Sequence, residues 1–326
     1  MLCSDAAYTQ MIRNGFMFWS DNSCLTFEVY LEGRLNVSRE QTLSIDTGCQ
    51  VVGTIQHEIT HALGMDHAQS RSDRDKFITI YPAKINKERI GNFDLLKPEE
   101  NNNFEVERVS LATTSRTLCH NAISMPYWSD AFAAVPGETT MVAANKFYKK
   151  TMGQRLRASM SDIKLVNLFY KCAQKCPTKP ACQNGGIVNP KKCDSCICPV
   201  MFTGPLCTDL HKGRGVDAGK PTCSLNVPAS GSWQTLDKTI ARDKLNKDFE
   251  SSDCYYKINA ARGILRCKSA SRKSVTFVMS SAHGMQWSFC CPEDHNGETF
   301  SAEGSAVIRM WTKFSTNWFT MEYKSI

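Results

Sequence analysis

Apolar residues recur at helical spacing in three segments of the first 172 residues, which predicts helices at 5–19, 53–64 and 159–172. The apolar positions of the first helix are Tyr8, Ile12, Phe16 and Trp19. Ser159 and Asp162 are predicted to form a capping pair at the start of the last helix.

The last hundred or so residues follow a different pattern, in which apolar and polar residues alternate over short runs. These runs lie at 274–280, 305–311 and 318–323, and they predict strands of a β-sandwich. Because helices and strands occupy separate stretches of the chain, the predicted fold class is α+β.

Sixteen cysteines are spread unevenly along the 326 residues. Four precede residue 170, and six of the other twelve fall within 176–207. Cysteines this dense indicate disulfides and an oxidising, extracellular location. Since the chain is longer than a single core usually supports, we predict domains at 1–172, 173–210 and 222–326, with a polar linker at 211–221.

The net charge of +7 is scattered along the chain, which indicates a solvated surface with at most a weak attraction to acidic matrix or glycans. No stretch approaches the roughly 20 apolar residues that span a bilayer, and no nucleic-acid-binding motif is present. The first ten residues lack the basic and apolar regions of a secretory signal. We therefore expect a secreted protein whose signal peptide is absent from this sequence.

The strongest chemical signal is HEITHALGMDH at 57–67. His57 and His61 share one face of the predicted helix, so both imidazoles can reach one ion. Gly64 can adopt the left-handed conformation that ends a helix and turns the chain, and His67 then follows as a third ligand. Because catalytic zinc sites use three protein ligands and one open position, we predict one zinc ion per chain on these histidines.

Glu58 is predicted to be the general base. It follows the first ligand directly, so its carboxylate is poorly placed to bind the metal but can reach the attacking water. In this mechanism Glu58 takes a proton from water and later passes one to the leaving amine. Replacing Glu58 with alanine is expected to preserve zinc binding and to abolish peptidase activity.

The longer motif HEITHALGMDHAQSRSDRD (57–75) resembles the astacin family of zinc endopeptidases, part of the metzincins. Arg71, Asp73 and Arg74 match the Arg-x-Asp-Arg run that follows the third histidine in this family. The resemblance implies a metzincin-like zinc protease domain and a protein or peptide substrate.

The stretch Ser-Met-Pro-Tyr at 124–127 resembles the methionine turn of the same family. The resemblance implies that Met125 forms the hydrophobic floor beneath the histidines. It also implies that Tyr127 is a displaceable zinc ligand that swings to stabilise the oxyanion. The helix that ends at Cys172 resembles the end of the family's domain and implies a Cys24–Cys172 bridge.

The chain departs from the family pattern at several places. Ala68 stands where the family usually has a glutamate that contacts the mature N-terminus. The family's first strands are missing, and the stretch between Cys24 and Cys49 is short and lacks the usual partner of Cys49. Cys49 could bridge to Cys119 or to Cys3. In this comparison the metal site is complete, whereas the wall of the substrate cleft is not.

The six cysteines within 176–207 resemble an EGF-like module of the type that follows nematode astacin domains. The bridges that this resemblance implies are Cys176–Cys193, Cys182–Cys196 and Cys198–Cys207. Residues 222–326 resemble a degenerate β-sandwich CUB domain, with a first bridge between Cys223 and Cys254. A second bridge is expected from Cys267 to Cys290 or Cys291.

Two functional hypotheses follow. The first is a secreted zinc endopeptidase that contacts extracellular matrix through its EGF-like and CUB-like modules. The second is a non-catalytic extracellular binding protein in which a degenerate protease domain serves as a scaffold. Asn36, in the sequon Asn-Val-Ser, is a predicted glycosylation site of a secreted chain.

Overall fold

The computed structural model describes residues 6–28, 43, 51–98, 127–144, 152–153, 157–213, 216–217, 223–241, 252–260, 262–270, 276–280, 286–290, 299–312 and 317–326. Within it the chain divides into two compact units, Met1–Lys179 with Asn189–Cys193 and Pro180–Val188 with Asp194–Ile326. The expectations for Met125, Asn36, Cys3, Cys49, Cys119 and Cys291 fall outside the described residues, as do the side chains of Cys267 and Cys290.

Three helices of the first unit lie close to their predicted positions: α1 (Ala6–Asp21), α2 (Val52–Ala62) and α3 (Met160–Phe169). Helices α1 and α2 approach closely at Gly15, where an added Cβ would lie 2.6 Å from Cγ2 of Ile55. Glycine is therefore required at this crossing.

A hydrogen bond joins α1 to α2, and a cap stabilises the start of α3. Fully buried Trp19 of α1 donates from Nε1 to the carbonyl oxygen of Gln56 in α2, at 3.3 Å. At the start of α3, Ser159 N donates to Asp162 Oδ2 and Asp162 N donates to Ser159 Oγ, at 2.8 and 3.2 Å. This reciprocal cap confirms the pair predicted from sequence.

Regular strands are short in the first unit. Strand β1 (Ile78–Ile80) pairs antiparallel with β2 (Met141–Ala143), over a core of Ile78, Met141 and Met152. Short 3₁₀ segments also occur in this unit. They span Ala68–Ser70, Arg74–Lys76, Pro82–Lys84, Lys87–Phe93 and Cys172–Lys175. The Cys24–Cys172 bridge joins the chain just after α1 to the chain just after α3.

Three disulfides hold together the segment after Cys172. Its strands are β3 (Ile187–Val188), β4 (Cys196–Ile197), β5 (Phe202–Thr203) and β6 (Asp209–Leu210), paired as β3 with β4 and β5 with β6. The bridges are Cys176–Cys193, Cys182–Cys196 and Cys198–Cys207. Two-residue strands bury little surface, so these covalent links supply much of the order.

The second unit contains two five-stranded sheets. Their strands are β7 (Val216–Asp217), β8 (Ser224–Pro228), β9 (Gln234–Ala241), β10 (Ser252–Asn259), β11 (Arg262–Ala270), β12 (Thr276–Ser280), β13 (Gln286–Cys290), β14 (Thr299–Glu303), β15 (Ala306–Thr312) and β16 (Asn317–Ser325). The sheet orders are β13-β12-β15-β10-β8 and β14-β11-β16-β9-β7. The strands expected near 274–280, 305–311 and 318–323 are confirmed as β12, β15 and β16.

The two sheets face each other across a buried layer. Tyr256 of β10 and Phe319 of β16 are fully buried, with ring centroids 5.8 Å apart. Strand β7 lies in the stretch predicted to be a linker and pairs with β9, because its backbone completes the edge of that sheet. The Cys223–Cys254 bridge ties the chain just before β8 to β10.

The outer face of one sheet packs against that part of the disulfide-rich segment that belongs to the same unit. Buried Met201 and Phe202 pack against Tyr255 and Val307, which lie on β10 and β15. Apolar side chains on this outer face therefore have a partner. No helix within the described ranges is long and apolar enough to cross a membrane.

Candidate metal centre

The end of α2 turns the chain so that a third histidine can approach the first two. The N–H of Gly64 donates to the carbonyl of His61 at 2.8 Å, and that of Met65 donates to the carbonyl of Thr60 at 3.2 Å. This bond pair is the Schellman motif, which needs a left-handed residue, and Gly64 has φ +88°. The chain then runs through Met65 to His67 on the same side of the helix.

The turn after α2 also orients the ring of one candidate ligand. Nδ1 of His61 lies 2.8 Å from the carbonyl oxygen of buried Met65. A carbonyl only accepts hydrogen bonds, so Nδ1 is the donor in this contact and Nε2 is the ring nitrogen available to a metal. Hydrogen bonds of this kind orient histidine ligands in metal sites.

The three Nε2 atoms converge on one point. Nε2 of His61 lies 3.2 Å from Nε2 of His57 and 3.2 Å from Nε2 of His67. Two nitrogens bound to one tetrahedral zinc ion at about 2.0–2.1 Å would lie about 3.3–3.4 Å apart. Because the lone pair on Nε2 of His61 faces both other rings, a shared cation suits this arrangement. The donor set and spacing therefore fit zinc.

Glu58 lies beside this group on α2. It follows His57 directly and is half-buried, whereas His57 itself is buried. Consecutive helical residues point about 100° apart, so the Glu58 side chain leaves the helix next to the face that carries His57 and His61.

Tyr127 packs against the third histidine. Its ring centroid lies 4.5 Å from that of His67, and its hydroxyl oxygen is 3.5 Å from Nδ1 of His67. This separation is long for a hydrogen bond, so the phenol lies next to the ligand without being tightly bound to it. Phe93 and Phe132 contact the same ring, with centroids 5.9 and 5.1 Å from it.

The backbone around Tyr127 is held by residues just after His67. Oε1 of Gln69 accepts a hydrogen bond from the backbone N–H of Tyr127 at 3.2 Å. Nη1 of Arg74 donates to the carbonyls of Gln69, at 2.8 Å, and of Phe93. Arg71 forms a two-bond ion pair with Asp73, at 2.9 and 3.2 Å. Nothing in the sequence assigned a role to Gln69 or Phe93, because their contacts bridge distant segments.

The family comparison agrees with this geometry. Residues 32–171 match the model of the peptidase family described as Astacin. This part of the chain is an astacin domain. Zinc is therefore the metal that the three histidines of this astacin domain bind.

Curated relatives extend the similarity beyond the astacin domain. Zinc metalloproteinase nas-28 of Caenorhabditis elegans is 30% identical over 77% of this chain and 52% of its own length. Zinc metalloproteinase nas-32 of the same nematode is 33% identical over 69% of this chain and 33% of its own length. Zinc metalloproteinase dpy-31, also from C. elegans, is 36% identical over 66% of this chain and 38% of its own length. The chain thus spans between a third and about half of these relatives.

Proposed function

We propose that this chain is a secreted zinc endopeptidase that hydrolyses peptide bonds in extracellular proteins. The observation that carries the proposal is the convergence of the Nε2 atoms of His57, His61 and His67, with Glu58 beside them on the same helix. The five disulfides of the described residues support an oxidising, extracellular location.

Each side chain has a distinct role in the proposed reaction. The three histidines would hold the metal, and zinc bound there would supply a Lewis acid that makes water more acidic and polarises a carbonyl. Glu58 removes a proton from the attacking water and delivers a proton to the leaving amine. Tyr127, proposed as a displaceable ligand, swings from beside His67 to stabilise the negative charge that develops on the carbonyl oxygen.

We also propose identities for the regions beyond the astacin domain. The order of the bridges within 176–207, first to third, second to fourth and fifth to sixth, supports an EGF-like module at 173–210. Two facing five-stranded sheets and the Cys223–Cys254 bridge support a CUB-like domain at 222–326. Contact with extracellular matrix is the proposed role of these modules.

The substitution Glu58→Gln tests the proposed catalysis. The variant keeps the size of the side chain but loses the base, so we expect zinc content equal to wild type and casein cleavage reduced by about 10²–10⁴-fold. A chelator should abolish wild-type cleavage. Glu88→Gln, an exposed change on the Lys87–Phe93 segment, is the matched control and should cleave normally.

The competing proposal is a non-catalytic extracellular binding protein. Ala68 supports it, because the astacin family usually has glutamate directly after the third histidine. A wild-type chain that binds one zinc ion per molecule yet leaves casein intact would favour this second function.

A further inference from the structure

Gln69 is a buried amide whose position links the metal-binding turn to Tyr127. It is 1% exposed and lies two residues after His67, in the 3₁₀ segment Ala68–Ser70. Its Oε1 accepts a hydrogen bond from the backbone N–H of Tyr127, which lies 58 positions later in the chain. One side chain therefore connects the turn that carries a ligand to the segment that carries the phenol.

The orientation of the Gln69 amide follows from its partner. A backbone N–H only donates, so the atom facing Tyr127 is the amide oxygen and the NH₂ group points the other way. No acceptor among the described residues reaches the buried Nε2 atom. An unsatisfied buried donor costs about 1–3 kcal/mol. A leucine at this site would avoid that cost but would leave the Tyr127 N–H without the acceptor that Gln69 supplies.

A second contact connects Gln69 to the ring of Tyr127. Nη1 of Arg74 donates to the backbone carbonyl of Gln69 and to that of Phe93. The buried Phe93 ring lies edge-on to Tyr127, at 75°. Gln69 holds the backbone of Tyr127 while Phe93 contacts its ring, and Arg74 fixes these two supports relative to each other.

We infer that Gln69 is a positioning residue that fixes Tyr127 beside His67. This inference rests on the proposed role of Tyr127 in peptide hydrolysis. The phenol meets His67 through a ring contact and a 3.5 Å approach of its hydroxyl, which is long for a hydrogen bond. The bond from the backbone N–H of Tyr127 to Gln69 is a hydrogen bond to the residue's own main chain, so it helps to set where the phenol lies. A displacement of about 1 Å at a reacting group can lower a rate by about 10²-fold.

A double-mutant cycle with Tyr127→Phe and Gln69→Met tests the inference. Methionine matches the length of glutamine but offers no amide oxygen. We expect Gln69→Met to lower kcat about 10–100-fold with little change in KM. In the Tyr127→Phe background, Gln69→Met should lower kcat almost no further, because the hydroxyl that Gln69 would position is already absent. Zinc content should equal wild type in all variants.

Gln69→Glu is the conservative control, since a carboxylate oxygen can still accept the Tyr127 N–H. It should recover kcat to within a few-fold of wild type. If Gln69→Met lowers kcat equally in both backgrounds, or Gln69→Glu is as impaired as Gln69→Met, Gln69 acts through general packing and the inference is wrong. If Tyr127→Phe alone retains full activity, the proposed role of Tyr127 fails as well.

Amide hydrogen exchange gives a measurement that does not require peptidase activity. The Tyr127 amide should exchange slowly in wild type and at least tenfold faster in Gln69→Met. Equal exchange at Tyr127 in the two proteins would overturn the inference even if the variant cleaved poorly.

Discussion

The residues that form the metal centre lie close together in the sequence, whereas those that pair in the β-sandwich lie far apart. His57, His61 and His67 lie within eleven residues, and one helix with its glycine cap places all three. In the sandwich, β10 lies between β8 and β15, so Asp253 pairs with Trp311 across 58 positions. Chemistry is thus encoded locally in one unit, whereas shape depends on distant pairings in the other.

Local encoding does not make the metal centre independent of distant residues. Oε1 of buried Gln56 accepts the backbone N–H of Ala158 at 2.6 Å, which ties α2 to the chain just before α3. Tyr127 reaches His67 from 60 positions away. The ligands are therefore local, while the groups that hold and complete the site are not.

The largest effect is expected from Phe319→Ala in the sandwich. Phe319 is fully buried between the sheets, and removing a buried phenyl ring costs about 3–5 kcal/mol. Amide exchange in β9, β10 and β16 should accelerate accordingly. Zinc content and cleavage should stay at wild-type levels, because the change lies outside the unit that binds metal.

Trp318→Ala is the matched control for that prediction. Trp318 is adjacent on β16 but 43% exposed, so its removal should have a much smaller effect on exchange in the sandwich. Loss of zinc in Phe319→Ala would contradict the separation of the two units. Equal exchange in the two variants would contradict the assigned core.

The sequence predicted the metal ligands because their geometry follows from helical spacing and a glycine turn. It also predicted strands β12, β15 and β16, since alternation marks one buried face. Alternation carries no information about which strands pair, so the sheet orders could not be predicted. The short strand β7 was placed in a linker because its surroundings are rich in glycine and polar residues.

The contacts that hold Tyr127 beside the metal ligands could not be predicted from the sequence for a related reason. Gln69 and Phe93 carry no pattern of their own, and their functions arise only when Tyr127 is brought beside them. The five bridges of the described residues have the pairs implied by family resemblance. Cysteine spacing alone leaves many connectivities open.

A smaller effect is expected from Gln56→Leu. This substitution tests how much α2, which carries the metal ligands, depends on its contact with a distant segment of the chain. The change leaves the buried N–H of Ala158 without its acceptor, at a cost of about 1–3 kcal/mol. We expect a lower urea midpoint for the first unit and a modestly faster loss of zinc to a chelator. Gln174→Leu, at an exposed position, is the control and should match wild type.

The smallest effect is expected at Lys164 on α3, where burial lowers the pKa of the ammonium group. Its pKa in the unfolded chain is near the ordinary value of about 10.4, so between the lowered and ordinary values the unfolded state binds more protons. The free energy of unfolding must then rise with pH across this window, and below the window it stays constant at the lower level. Burial also raises the pKa of Tyr170. That shift lowers the stability of the folded state as pH rises, opposite to the effect of Lys164, but only from about pH 10 upward.

Lys164→Met removes the charged group and should stabilise the first unit at pH 7 by on the order of 0.5 kcal/mol, the scale of a surface substitution. The gain over wild type should shrink as pH rises from 7 to 10, because the wild-type lysine loses its proton more readily when folded. Urea unfolding at pH 7, 8.5 and 10 measures this difference. Exposed Lys179→Met controls for the loss of one positive charge. A gain that stays constant with pH would mean that methionine stabilises α3 through packing, and that burial of the ammonium group has no energetic consequence.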